Sequence, residues 1–264
     1  TVENMLSGAD QKKFFYLSVD FVRDTPANPK DEIHNQSILE AYPRIRELAL
    51  RGSENPNLLP KDSITVRMHS VGGWGAITTG KNLAMTLYEL LGGDIKANPK
   101  YGSEKKGQPT TYYLSAAPEP IRVNCEYVYV DVVLSPDPNV HEHSNPVAGL
   151  KQGGVFIVQS NRSEEDLWAS FPLWMQKQIV DNDIRVFYLD AFQIAREEAG
   201  SADLQLRMQG IAFQGAFFAA SPVMKNAGLT EEKLFKAIED QLQAKFGGKG
   251  KRVVDDNLRV VRRG

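Results

Sequence analysis

The residues best placed to do chemistry are those of Ser70-Val71-Gly72-Gly73-Trp74-Gly75. Glycine accepts positive φ and lets a ligand approach bare backbone, so this run can bend tightly and turn N–H groups outward. A helix starting behind such a turn favours anions, because unpaired N–H groups and the helix dipole act together. The spacing is neither GxGxxG nor a P-loop with its Lys-Ser/Thr. On the motif alone it reads either as a phosphate cradle or as a tight strand-to-helix crossing. A second candidate is Lys105-Lys106, two ammonium groups on a glycine-bounded loop. They read as reaching an anion held at the glycine turn, or as a solvated basic loop. His69 precedes the turn and reads as a pocket residue or as a structural histidine. His141-Glu142-His143 would put two imidazoles on one face of a strand, or lie in a solvated loop between Pro138 and Pro146. Cys125 has no CxxC partner and reads as a small packed side chain. There is no GxSxG elbow to anchor hydrolase chemistry.

These residues need elements to hold them. Ile64, Val66 and Met68 alternate with Thr65, Arg67 and His69, which predicts a strand. Leu83, Leu87, Leu90 and Leu91 then recur at helical spacing, and Gly92-Gly93 predicts the stop. Ala97 to Pro109 reads as a polar loop leading into the β-prone Thr110–Leu114. Val128–Leu134, Val155–Gln159 and Ile184–Leu189 read as strands buried on both faces. Leu150-Lys151-Gln152-Gly153-Gly154 reads as a helix end and turn. Gln209–Ala220 reads as a buried helix, and Leu229–Phe246 as an amphipathic one capped by Thr230. The basic, valine-rich tail from Lys249 reads as an edge strand or an extended arm. Strands alternating with helices predict an α/β fold, a three-layer Rossmann-like domain with a mostly parallel sheet, whose ligands sit beyond the carboxyl ends of the strands.

Composition narrows the classes. The 264 residues carry 42% hydrophobic and 24% charged residues, ordinary for a globular chain. A net charge of −2 gives no case for a nucleic-acid or membrane surface. No apolar run approaches the roughly 20 residues of a membrane span, and no signal peptide is visible. One cysteine cannot make an internal disulfide, a cysteine zinc site or an iron–sulfur cluster, and it agrees with a reducing, cytoplasmic setting. Residues 1–62 lack alternating strands and helices and read as an extended N-terminal arm, packing on the main domain of residues 63–264 or on a partner subunit. Opening on Thr1, the chain reads as processed or as a piece of something longer.

Over roughly Ile64 to Met224 the sequence resembles the gamma subunit, or gamma domain, of the thiamine-diphosphate-dependent 2-oxoacid:ferredoxin oxidoreductases, the pyruvate:ferredoxin oxidoreductase family. That family has a G-x-G-G-Q-G-like turn between strand and helix, then a loop of the type F-G-P-E-R-R-G-x-P. Here the turn is Ser70–Gly75 and the loop is Tyr101-Gly102-Ser103-Glu104-Lys105-Lys106-Gly107-Gln108-Pro109. Asp131–Leu134 and Gly149–Val158 match the next unit. Trp74 replaces the usual Gln, and Lys-Lys replaces Arg-Arg. The resemblance implies a coenzyme A-binding component: Gly72, Gly73, Trp74 and Gly75 would meet the phosphates through backbone N–H groups, with Ser70 and Val71 beside them. Lys105 and Lys106 would supply charge. It implies alpha and beta partner subunits carrying thiamine diphosphate and magnesium, a ferredoxin-like subunit carrying 4Fe–4S clusters, and ferredoxin as acceptor. The reaction implied for the complex is oxidative decarboxylation of a 2-oxoacid to acyl-coenzyme A. Three alternatives remain open: the branch that oxidises oxalate without coenzyme A, a non-catalytic scaffold of the same fold, and a stand-alone dinucleotide oxidoreductase, which needs an acid closing the second strand.

Overall fold

The computed structural model describes residues 36–37, 40–43, 59–101, 107–123, 126–199 and 202–264. The chain divides into two units, Thr1–Asn57 and Leu58–Gly264, and the second is described below. Its elements are β1 (Ile64–Val71), α1 (Ala76–Leu91), β2 (Asp94–Tyr101), β3 (Pro109–Ala117), β4 (Val130–Ser135), β5 (Leu150–Gln159), α2 (Glu164–Ser170), α3 (Leu173–Asp181), β6 (Arg185–Leu189), α4 (Ala191–Glu198), α5 (Ala202–Ala220), α6 (Val223–Asn226), α7 (Glu231–Phe246) and α8 (Lys251–Arg263).

The six strands form one sheet in the order β2-β3-β1-β4-β5-β6. β1, β4, β5 and β6 run parallel. The β2–β3 hairpin joins antiparallel to β1, so the sheet is α/β with a mostly parallel half carrying the helical connections. Side-chain alternation separates two cores. Met68, Val132, Leu134 and Ile157 pack on one face with Leu83, Phe213, Phe217 and Val260. Val133, Phe156 and Val158 pack on the other with Leu167, Phe171 and Met175. Alternating faces of β4 and β5 thus feed both layers, as their continuous apolar runs predict.

Helix α1 stops where expected: Gly92 adopts φ 63° and its N–H donates to the Tyr88 carbonyl. Thr230 caps α7 by accepting from the Lys233 N–H.

Four readings of the sequence need correction. The tail is helix α8: Val254, Val260 and Val261 share a buried face, while Arg252, Arg259 and Arg263 remain outside or pair with acids. Leu150–Gly154 is the first half of β5, not a helix end, and the ladder to β4 shifts register there. Residues 97–101 belong to β2, an edge strand that tolerates Pro99 because no described strand pairs on its outer side. β6 is the opposite edge strand, with Phe187 and Tyr188 exposed, so it is not buried on both faces. Among the described residues, no helix is long and apolar enough to cross a membrane.

Candidate functional site

β1 delivers the chain to the carboxyl edge of the sheet, and the glycine turn there is built by its own hydrogen bonds. The Gly72 N–H donates to the Gln108 carbonyl at 2.8 Å, and the Gly107 N–H returns the bond to the Gly72 carbonyl at 3.1 Å. This reciprocal pair ties the turn to the start of β3. The Trp74 N–H donates to the Val71 carbonyl at 3.3 Å. Gly73 and Gly75 adopt φ 103° and 83°, a region that costs other L-residues about 1–2 kcal/mol. Gly75 is the N-cap of α1, with no side-chain cap, and the first helical bond runs from the Thr79 N–H to its carbonyl at 2.9 Å. The N–H groups of Ala76, Ile77 and Thr78 therefore precede any helical acceptor and have none among the described residues.

These groups line a cleft of about 390 Å³, walled by Gly72, Gly73, Gly75, Ala76, Ile77 and Thr78 on one side and by Tyr101 and Thr110 on the other. A Cβ on Gly73 would meet nothing within 4 Å, so its backbone faces open space. Donors at a helix start, a bare glycine backbone and no carboxylate among the described residues of the wall suit a phosphate-sized anion. A cation finds no ligand set there: no group of three His, Cys, Asp or Glu able to hold a metal occurs among the described residues.

The structure distributes the sequence candidates unevenly. Gly72, Gly73 and Gly75 lie on the cleft wall, although the Gly72 N–H is spent on Gln108. Ser70 is buried, its hydroxyl donating to the Val71 carbonyl at 3.3 Å. Neither Ser70 nor Val71 reaches the wall. Trp74 turns away: its ring meets Phe192 edge-on at 5.6 Å between centroids, and its carbonyl accepts from Gln209 Nε2 at 3.0 Å. Lys105, Lys106 and Cys125 lie outside the described residues. Ala76, Ile77, Thr78, Tyr101 and Thr110 were not singled out from sequence. The signal available for the first three was their place as the opening residues of a helix without a capping side chain.

His69, His141 and His143 stand apart from the cleft. His69 points to the face opposite Met68 and is buried, with Nε2 unpartnered. Burial, then the Arg67 guanidinium, then His143 hold its pKa down at about 3. Arg67, also buried, donates to the carbonyls of Val128, Pro146 and Ala148. His141 and His143 sit in a single 3₁₀ turn, not a strand. His143 Nε2 meets Asp137 Oδ2 at 2.6 Å, and His141 packs edge-on against Phe171. Asp94, the acid opening β2, accepts from the Ile95 and Ile121 N–H groups and so ties down backbone instead of waiting for a ribose.

The family model for pyruvate ferredoxin/flavodoxin oxidoreductase matches residues 65–264. The pyruvate/ketoisovalerate oxidoreductases common subunit gamma of Pyrococcus furiosus is 31% identical over 190 residues, 72% of this chain and 92% of that protein. The counterpart from Thermococcus litoralis is 28% identical over 70% of this chain and 90% of its own length. In fold, the chain is similar to pyruvate oxidoreductase subunit PORC of Thermotoga maritima, with TM-score 0.55 and 21% identity over 77% of this chain and 95% of that one. It is also similar to part of a 2-oxoglutarate:ferredoxin oxidoreductase from Magnetococcus marinus solved with 2-oxoglutarate, coenzyme A and succinyl-CoA bound, with TM-score 0.54 and 19% identity over 76% of this chain and 30% of that one. With the glycine turn, the helix behind it and all of the sheet but Ile64 inside the matched region, the chain belongs to the pyruvate ferredoxin/flavodoxin oxidoreductase family.

Proposed function

We propose that this chain is the gamma component of a 2-oxoacid:ferredoxin oxidoreductase and that its glycine turn holds the phosphates of coenzyme A. The observation that carries this reading is the row of N–H groups at Ala76, Ile77 and Thr78, open to the cleft behind Gly73 and Gly75. Gamma subunits among its relatives and a fold neighbour solved with coenzyme A bound support it. In the complex, a 2-oxoacid and coenzyme A give an acyl thioester, carbon dioxide, one proton and two electrons for two ferredoxins. Thiamine diphosphate, with magnesium in partner subunits, supplies the decarboxylation chemistry. This chain's share is positional. The α1 N-terminus meets the pyrophosphate, Thr110 and Tyr101 wall the opposite side, and Lys105-Lys106 adds charge. A lone cysteine cannot ligate a 4Fe–4S cluster, so the electron path runs through a ferredoxin-like partner. The arm of residues 1–62 serves as a subunit contact, and the complex works in the cytoplasm. Trp74, turned onto Phe192 and off the cleft wall, leaves space for the coenzyme and favours this reading over the coenzyme-independent oxalate branch.

The test is calorimetric titration of coenzyme A into the full chain and into the complex purified with it, whose iron and thiamine are assayed. Gly73→Val should weaken binding at least tenfold, and Lys105→Ala with Lys106→Ala several-fold. A complex that turns over a 2-oxoacid with coenzyme A but whose affinity ignores both variants would overturn the assignment of the site. A chain that recovers no thiamine- and iron-bearing partner would overturn the assignment of the component.

A further inference from the structure

The sheet contains a second crevice that the proposed coenzyme site does not use. β5 and β6 are parallel neighbours, paired through Gln159 and Leu189 at their carboxyl ends. From there the chain departs in opposite directions. After β5 it enters α2 and α3, whose Leu167, Met175 and Ile179, with Phe171 between the two helices, belong to one core. After β6 it enters α4, whose Ala191, Ile194 and Ala195 belong to the other. Two adjacent parallel strands whose connections part to opposite faces leave a gap between the loops, and open α/β sheets bind ligands at such switch points. Here the gap is a cleft of about 660 Å³, within the range of small-molecule sites.

The charges in it are unbalanced. Arg162, just past β5, and Arg196, in the second turn of α4, both line the cleft, and Asp190 is the one acid among its described lining residues. That acid is committed: Asp190 Oδ1 accepts from Gln159 Nε2 and from the Gln193 N–H, both at 3.0 Å, and so caps α4. Neither guanidinium makes a hydrogen bond or ion pair to a described residue. Glu197, which feels the field of Arg196, is hydrogen-bonded instead to Gln193 and Arg263. Since the α4 N-terminus is already filled by a carboxylate, the cleft's attraction for anions comes from the two planar forks, which match carboxylate or phosphate oxygens. Phe192 adds an aromatic wall, and its contact with Trp74 separates this cleft from the glycine turn.

We infer that the β5/β6 crevice is a second ligand site, for a small molecule bearing a carboxylate or phosphate held by Arg162 and Arg196, distinct from the glycine turn. The test uses the full chain and two probes, citrate for the carboxylate arm and inorganic pyrophosphate for the phosphate arm, each titrated by calorimetry. At least one probe should bind the native chain. Arg162→Gln with Arg196→Gln should weaken it at least tenfold, and Arg162→Lys with Arg196→Lys at least threefold, because charge remains while the fork is lost. Coenzyme A affinity should stay within twofold in both double variants. Whether citrate or pyrophosphate is preferred tells which anion the site is built for. The inference is overturned if neither probe binds, if the Gln pair binds as well as the native chain, or if the Lys pair equals it, which would mean surface charge alone. It is also overturned if coenzyme A affinity falls in parallel, making the crevice part of the coenzyme site. Loss of complex assembly with unchanged probe binding would instead assign the arginines to an acidic partner surface.

Discussion

Replacing His69 by Gln should make the protein more tolerant of acid than the native chain. His69 lies on central strand β1, buried, beside the Arg67 guanidinium and near His143, and its pKa is depressed to about 3. In the unfolded chain an imidazole titrates near pH 6.5. As pH falls below 6.5 the unfolded chain takes up a proton that the folded one refuses, so native stability drops until pH reaches the folded value. Above 6.5 the effect vanishes. The slope is about 1.4 kcal/mol per pH unit for one proton, which integrates to about 2 kcal/mol between pH 7 and pH 5. Urea unfolding followed by tryptophan fluorescence is well suited, since Trp74, Trp168 and Trp174 all lie within the α/β unit. Subtracting native from variant cancels the carboxylates common to both. The variant should start less stable or equal at pH 7 and gain about 2 kcal/mol relative to the native chain by pH 5. A difference that stays within about 0.5 kcal/mol across that range would refute the reasoning, because His69 would then be titrating as it does in water.

Two further outcomes follow from packing and from the β2 edge. A Cβ on Gly210 of α5 would lie 1.8 Å from Thr79 Oγ1, so Gly210→Ala should cost about 1–3 kcal/mol in urea unfolding, and Thr79→Ala in the same chain should restore more than half of it. No restoration would place the strain elsewhere. Asp94→Ala removes the acceptor of the Ile95 and Ile121 N–H groups, and hydrogen exchange should quicken at both amides while that of β4 stays unchanged.

Much of this architecture could be read from residues alone, and the exceptions share a cause. β4 and β5 announce themselves through unbroken apolar runs, and α7 through a Thr cap followed by Leu234, Ile238 and Leu242 on one face. β2 does not, because an edge strand with one face open carries Lys96, Asn98, Pro99 and Lys100, the composition of a loop. Thr65, Arg67 and His69 are the polar half of the β1 alternation, yet all three are buried. Their partners, such as Asp131 for Thr65 and three carbonyls for Arg67, come from distant segments. The glycine turn was legible as a turn. Which of its N–H groups remain open was not, because Gln108 consumes that of Gly72. The direction of Trp74 was equally hidden, being set by Phe192 and by Gln209, 135 residues away.

Arg67 has a kinetic consequence. Its three carbonyl acceptors lie 61, 79 and 81 residues further along the chain. Until β4 and the loop beyond it have docked, those oxygens are scattered and the guanidinium is better served by water. Dehydrating it early would bury a charge with nothing to meet it, and closing loops of that length costs entropy before any bond repays it. Those three bonds are expected to form late, after the strands have paired, and the check is that Arg67→Met quickens unfolding while leaving the folding rate unchanged. On that order their contribution falls on the unfolding barrier and not on the rate of folding: Arg67 would work as a latch that sets how long the native state persists once it has formed.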